Sequence, residues 1–143
     1  MFMSSDAHLF KLARECSFKS DYKSGCSSAR IGCVIVYKGA ILTKTWNSDK
    51  THTFQEKYNK WRYKADVKHY LPSKAHAEVA GLQKIKYLDI DFSKVHVYTY
   101  RELKNGHIAM SRPCPSCIAA MRALHIKHMH YTTDDGYCHE VLD

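Results

Sequence analysis

The chain has 143 residues, of which 45% are hydrophobic and 25% charged, a balance that fits a single globular domain with a core of its own. No apolar stretch approaches the length of a membrane span, and residues 1 to 10 lack the apolar core of an export signal, so the expectation is a cytoplasmic protein. A formal net charge of +8 at pH 7 suits phosphate-bearing ligands or acidic surfaces without choosing among them, and six cysteines are too sparse for a secreted disulfide scaffold.

Ser5 to Phe18 places Leu9, Leu12, Ala13 and Cys16 on one helical face, with Ser5 as N-cap. Asp21 to Ser28 reads as a loop. Ile31–Tyr37 and Ala40–Trp46 are short strand-like runs joined by Lys38-Gly39, hence a hairpin. Residues 49–74 form a basic, aromatic insertion. Thr53-Phe54-Gln55-Glu56 fits a capping box there, and Phe54, Tyr58, Trp61 and Ala65 follow at helical spacing, which predicts a helix ending before Leu71-Pro72. Seven Lys or Arg against three Asp or Glu give the insertion a net charge of +4. Its lysines, interleaved with Tyr58, Trp61, Tyr63 and Tyr70, have the makings of a single-strand track, although one-sided spacing of the aromatics favours burial against the domain.

Ala75 to Tyr87 is expected to form the next helix, with Val79, Leu82 and Ile85 turned inward, and Lys94 to Arg101 a strand. Asn105-Gly106 is a two-residue turn signal that folds the chain back through His107 to Met110. A helix over Pro115 to His125 and a strand over Lys127 to Thr133 follow. Ten residues remain after Thr133, fewer than a parallel crossover needs, so Tyr137 to Leu142 is expected to return as an antiparallel strand through Asp134-Asp135-Gly136. Strands alternating with helices imply α/β layers around a central sheet.

Two segments carry chemistry: His76-Ala77-Glu78, and Pro113-Cys114-Pro115-Ser116-Cys117. Zinc takes imidazole nitrogen and thiolate sulfur, and a catalytic zinc usually keeps three protein ligands and one open position. His76, Cys114 and Cys117 supply three donors and leave the Glu78 carboxylate to move protons. Cys114 sits before a helix with Pro115 at its first position and Cys117 three residues on, where the helix N-terminus favours thiolates. His76 and Glu78 are about 200° apart on a regular helix, so both face one metal only if His76 lies at an irregular first turn. A closed structural zinc shell would need a fourth ligand, such as His107, Cys138 or His139, and would have no use for Glu78. Cys16, Cys26, Cys33 and Cys138 read as small buried hydrophobes. His125, His128 and His130 read as a helix end followed by a strand on which His128 and His130 share a face, rather than as a second metal site.

The H-x-E and P-C-x-x-C pair resembles the cytidine deaminase superfamily. The resemblance implies a cytidine deaminase-like three-layer α/β/α sandwich with a central mixed sheet over residues 1–143, one zinc ion held by His76, Cys114 and Cys117, and Glu78 as proton carrier. It also implies attack by zinc-activated hydroxide on C4 of cytosine or C6 of adenine. By position in the family, Asn47 would hydrogen-bond the sugar, with the backbone of Ala77 and the Ser111-Arg112 segment lining the pocket. Trp46-Asn47 and Pro113 to Ala119 look like the deoxycytidylate and tRNA-adenosine branch, whereas an antiparallel ending resembles free-cytidine deaminases. Small phage-type deoxycytidylate deaminases offer the best likeness, which implies cytosine-to-uracil conversion in a free (deoxy)cytidine nucleoside or nucleotide by a homo-oligomer. The alternatives are deamination of cytosine or adenine in single-stranded DNA or RNA, and an inactive zinc-binding module that uses its basic face on nucleic acid.

Overall fold

Lys38 and Gly39 both have positive φ, 50° and 82°, the pair of values a two-residue hairpin turn needs to match the twist of its strands. They join β1 (Ile31–Tyr37) to β2 (Ala40–Trp46) as expected, with a register irregularity between Ile35 and Val36. The computed structural model describes residues 6–20, 30–51, 74–103 and 105–143. The predicted inserted helix over 53–70, the Ser5 cap, the 21–28 loop and Cys26 therefore lie outside the described residues.

On its other edge β1 pairs antiparallel with β5 (Val95–Arg101). β5 runs parallel to β6 (His128–Thr133), and β6 pairs antiparallel with β7 (Gly136–Val141), giving a mixed sheet of order β2-β1-β5-β6-β7. The antiparallel ending read from the short C-terminal segment is present. A two-stranded ribbon, β3 (Ser48–Thr51) with β4 (Lys74–Ala75), closes the base of the insertion. It was not anticipated: Ala75 pairs with Ser48 instead of opening a helix, so the next helix starts two residues later than the periodicity indicated. The turn at Asn105-Gly106 returns the chain as expected, but as a single bridge between Glu102 and Ile108 and not as a full strand.

Helix α1 (Asp6–Ser17) covers one face of the sheet; α2 (Ala77–Ile85) and α3 (Pro115–Ala123) cover the other. The three-layer α/β/α sandwich is thus the observed architecture. Alternation along β1 explains why it has a buried run on both sides. Cys33 and Ile35 join Val79, Leu82, Ile85, Val97, Met121 and Met129 in one core, while Val34 and Val36 meet Leu9, Phe10, Ala13, Tyr98 and Tyr100 in the other. Phe10, absent from the predicted helix face, is the largest of the α1 anchors and packs edge-on to Tyr98 and stacked on Tyr137. Cys16 and Cys33 are buried as expected, Cys138 is half-buried, and every described cysteine is a free thiol. Among the described residues no helix is long and apolar enough to cross a membrane.

Strand alternation also places His96, His128, His130 and His139 together on the α1 side of the sheet, towards the β7 edge. His128 and His130 do share a face; His96 and His139 join them from neighbouring strands, which the sequence does not announce. His125 stands apart, exposed at the end of α3 with φ of 67°. Burial and the neighbouring imidazoles hold His96 and His128 below the usual histidine range and bring His130 down to about 3.

Gly32 sets how close α1 can come. A Cβ there would collide with the Ala13 carbonyl oxygen and lie 2.5 Å from the Ser17 amide nitrogen and 2.9 Å from Cys16 Cβ. Two of those neighbours are backbone, which cannot swing aside as a side chain can. Gly32→Ala should therefore lift α1 and cost about 1–3 kcal/mol or more, read as a lower urea midpoint. An unchanged midpoint would mean that α1 is not seated on β1 in solution.

Candidate metal centre and active site

His76 is the N-cap of α2, with an extended backbone (φ −82°, ψ 152°), and Cys114 is the N-cap of α3, also extended (φ −72°, ψ 166°). Neither side chain caps its own helix. Both point instead to a common centre. The Nδ1 atom of His76 lies 3.4 Å from Cys114 Sγ and 3.3 Å from Cys117 Sγ, and the two sulfurs are 3.6 Å apart. The irregular first turn required of His76 is therefore its cap position, with Ala77 and Glu78 as the first two helical residues.

This triangle fits zinc. Bond lengths of about 2.3 Å to sulfur and 2.0–2.1 Å to nitrogen in a tetrahedron set sulfurs about 3.8 Å apart and nitrogen to sulfur about 3.6 Å. The observed separations fall a few tenths of an ångström inside those values. Among the described residues His76, Cys114 and Cys117 gather as one donor group, with no fourth protein donor in it. Of the residues nominated to close a structural shell, His139 belongs to the histidine group across the sheet, and Cys138 packs at the edge of the core.

Glu78 is 3% exposed and its carboxyl meets the Cys117 thiol, yet it is not one of the gathered donors. Burial pushes its carboxyl above the usual carboxylate range, against the opposing pull of His76. The thiols differ. Hydrogen bonding from Cys117, aided by His76 and Ser116, draws Cys114 down to about 3, while burial pushes Cys117 well up. Ser116, between the two cysteines, has a part that the ligand spacing does not announce: its Oγ lies 2.9 Å from Cys114 Sγ and can donate to that thiolate. The middle positions of a C-x-x-C offer the only sequence hint of it.

Further contacts hold the helix starts in place. Thr45 Oγ1 on β2 donates to the Ala77 carbonyl at 2.7 Å, and a Cβ on Gly81 would lie 2.6 Å from Ile35 Cδ1, so α2 sits directly on β1 and β2. The loop leading to Cys114 is fastened by Ser111, whose hydroxyl donates to the Thr99 carbonyl at 3.0 Å and accepts from the Thr132 amide at 2.8 Å. The Thr99 hydroxyl in turn donates to the Ser111 carbonyl at 2.8 Å. The next residue, Arg112, makes a two-pronged bond to Glu140 on β7, both contacts 2.9 Å. The Ser111 side chain is therefore occupied within the fold, where it anchors the loop leading to Cys114.

Asn47 is buried at the end of β2. Its Oδ1 accepts from the Ile31 amide at 2.9 Å and from Ser20 Oγ at 2.6 Å. The backbone amide of Ala77, at the first position of α2, has no acceptor within its own helix.

Comparison with known proteins agrees with this geometry. Residues 3–133 match the family model for the cytidine and deoxycytidylate deaminase zinc-binding region. No curated protein sequence matches the chain. Among solved structures, the cytidine deaminase of Burkholderia pseudomallei superposes with a TM-score of 0.62 at 12% identity, covering 96% of this chain and 93% of that one. The dCMP deaminase of cyanophage S-TIM5 superposes with a TM-score of 0.54 in its apo form and 0.55 in complex with dCMP and dUMP, at 18% identity in both. Those alignments cover 87% of this chain and 79% and 77% of the phage enzyme. A His-Cys-Cys triangle sized for zinc, a buried carboxyl beside it and a family match over nearly the whole chain lead to one conclusion: this protein belongs to the cytidine and deoxycytidylate deaminase family of zinc-dependent hydrolytic deaminases.

Proposed function

We propose that the chain converts cytosine to uracil in a free (deoxy)cytidine nucleoside or nucleotide, consuming water and releasing ammonia. The observation that carries this reading is Glu78, a buried carboxyl placed against Cys117 without joining the donor set. That placement supports a proton carrier beside a metal that the three donors would hold. His76, Cys114 and Cys117 would hold the zinc, which when bound supplies a Lewis acid that makes water nucleophilic near neutral pH.

The remaining work falls to the chain's own groups. The Glu78 carboxylate takes a proton from the attacking water, delivers it to the ring nitrogen N3, and assists departure of the amino group as ammonia. Its raised proton affinity suits a group that must both accept and return a proton. The Ala77 amide, without an acceptor in its own helix, would hydrogen-bond the base, and Asn47, whose Oδ1 is held by Ile31 and Ser20, would stand beside the sugar. Ser111 contributes by fixing the loop before Cys114. A small free substrate is favoured by both structural relatives, one a cytidine deaminase and the other a dCMP deaminase bound to dCMP and dUMP. The net charge of +8 suits a 5′-phosphate.

Ammonia release measured side by side on deoxycytidine, its monophosphate, adenosine and a mixed-sequence single-stranded oligonucleotide tests the substrate. Turnover of deoxycytidine or its monophosphate, with little on the oligonucleotide, is expected. Fast, salt-sensitive turnover of the oligonucleotide would reverse the assignment, and no turnover of any would leave a zinc-binding module.

Glu78→Ala should keep the zinc bound by the three donors and lose activity by about 10²–10⁴-fold or more. Loss of that zinc in the variant would make Glu78 a ligand and end its role as proton carrier.

Metal loading has a proton signature. Because burial keeps the Cys117 thiol protonated in the metal-free protein, zinc must displace that proton, and each proton released weakens binding about tenfold per unit fall in pH. Competition with a chelator between pH 8 and pH 6 should show zinc affinity falling as pH falls, and Cys114→Ser should weaken the site throughout. A pH-independent affinity would contradict the ligand assignment.

A further inference from the structure

The four histidines on the α1 side of the sheet are closer than a shared face requires. His96 Nδ1 lies 2.8 Å from His130 Nε2, and His128 Nδ1 lies 3.1 Å from His139 Nε2. The rings of His96 and His128 stack with centroids 4.2 Å apart, and those of His130 and His139 with centroids 4.1 Å apart. These pairs are direct register partners, His96 with His128 and His130 with His139. Nitrogens of His96, His128 and His139 all lie within 4.8 Å of one another.

Neighbouring imidazole nitrogens are reconciled either by an N–H···N hydrogen bond or by a cation that both face. An ion bound at about 2.0–2.1 Å holds two imidazole nitrogens about 2.8–3.4 Å apart, and the His128–His139 pair at 3.1 Å falls in that range. Hydrogen bonding satisfies the rings two by two, but it does not call for a third nitrogen converging on the His128–His139 pair. His130 has a different place. It is buried, its Nε2 faces His96 Nδ1, and its Nδ1 lies 4.0 Å from Asp6 Oδ2. Asp6 is steadied by the Tyr98 hydroxyl, which donates to Oδ1 at 2.6 Å. A carboxylate behind an imidazole chain is the arrangement that fixes the ring orientation of metal-ligating histidines and raises their basicity.

We infer that His96, His128 and His139 form a second metal site, with His130 and Asp6 as positioning residues behind His96. Imidazole donors select borderline divalent transition metals, zinc, nickel or copper, over magnesium or calcium. The site is spatially separate from the deaminase centre. Val97 and Met129, which alternate with these histidines, point into the core beneath α2 and α3, so the two metal sites lie on opposite faces of the sheet. The ion would tie β5, β6 and β7 together and secure the edge strand.

The test is metal stoichiometry in the full chain. Protein stripped by a chelator and reloaded with zinc should hold two ions per chain, whereas His128→Gln/His139→Gln should hold one and gain less in Tm on loading. Cobalt separates the sites by colour, since only the deaminase centre can give a sulfur-to-metal charge-transfer band. Cys114→Ser/Cys117→Ser should bind one cobalt without that band, a result that stands even if the histidine variant fails to fold. One ion per chain in the unaltered protein, an unchanged count of two in the histidine variant, or no cobalt in the cysteine variant would each overturn the assignment. Ammonia release is not read in any of these measurements, and the cobalt bound by the cysteine variant reports the histidine site whatever becomes of the deaminase reading.

Discussion

The structure depends on two helices that begin without caps. His76 and Cys114 occupy the position from which a side chain normally satisfies the first free amides, and each withholds that bond so as to face the other. Forgoing a cap costs about 1 kcal/mol per helix, and the extended backbone at both residues aims the side chains across the gap between helix starts. The positive ends of both helices are thereby directed at one centre. They would oppose a cation there, but they would stabilise the thiolates that hold it and an ionised Glu78. Metal binding is then folding free energy that offsets uncapped helix ends and buried donors.

A centre of this kind works only if two independent helices start in fixed relation to within a few tenths of an ångström. The fold provides that from the sheet side. Gly81 lets α2 approach Ile35, and Thr45 bonds the Ala77 carbonyl in its first turn. On the α3 side the fastening is polar, through the Ser111, Thr99 and Thr132 exchange and the Arg112–Glu140 pair. Asn47 belongs to the same scheme, since its side chain joins the end of β2 to the start of β1 and to Ser20. Those bonds depend on which segments lie side by side, which is why its type alone could not distinguish a sugar contact from a loop start.

What could be read in the chain, and what could not, divides by distance along it. The hairpin at Lys38-Gly39, the inward faces of α1 and α2, and Pro115 at the first position of α3 are local, written in periodicity and turn chemistry within a dozen residues. The metal donors were legible because an imidazole with a carboxylate two residues on, followed by paired thiols at i and i+3, is a rare combination whose chemistry admits few uses. The antiparallel β7 was legible in the tight Asp134-Asp135-Gly136 turn that directly follows the β6 run. The β3–β4 ribbon, the Ser111 exchange and the histidine group all require knowing which strands lie side by side, and no local pattern encodes the order β2-β1-β5-β6-β7. His96 and His139 are 43 residues apart and are brought within reach only by β6 between them.

β7 is where these long-range arrangements converge. Successive residues on a strand face opposite sides, so His139 points to the histidine group while Glu140 points to Arg112 and the Cys114 loop. Arg112 draws the Glu140 carboxyl down to about 2, so it stays ionised and the two-pronged bond persists into acid. The loop carrying Cys114 is thus anchored by an edge strand, ordinarily the least secure element of a sheet because one side of its backbone ladder is unpaired. An edge strand given that task needs support beyond its single neighbour. Stacking of Tyr137 on Phe10 supplies some, the antiparallel ladder with β6 supplies more, and the imidazoles of His128 and His139 meet across that same pairing. Securing β7 on the α1 face therefore bears on the geometry of the deaminase centre on the other, through one residue step from His139 to Glu140.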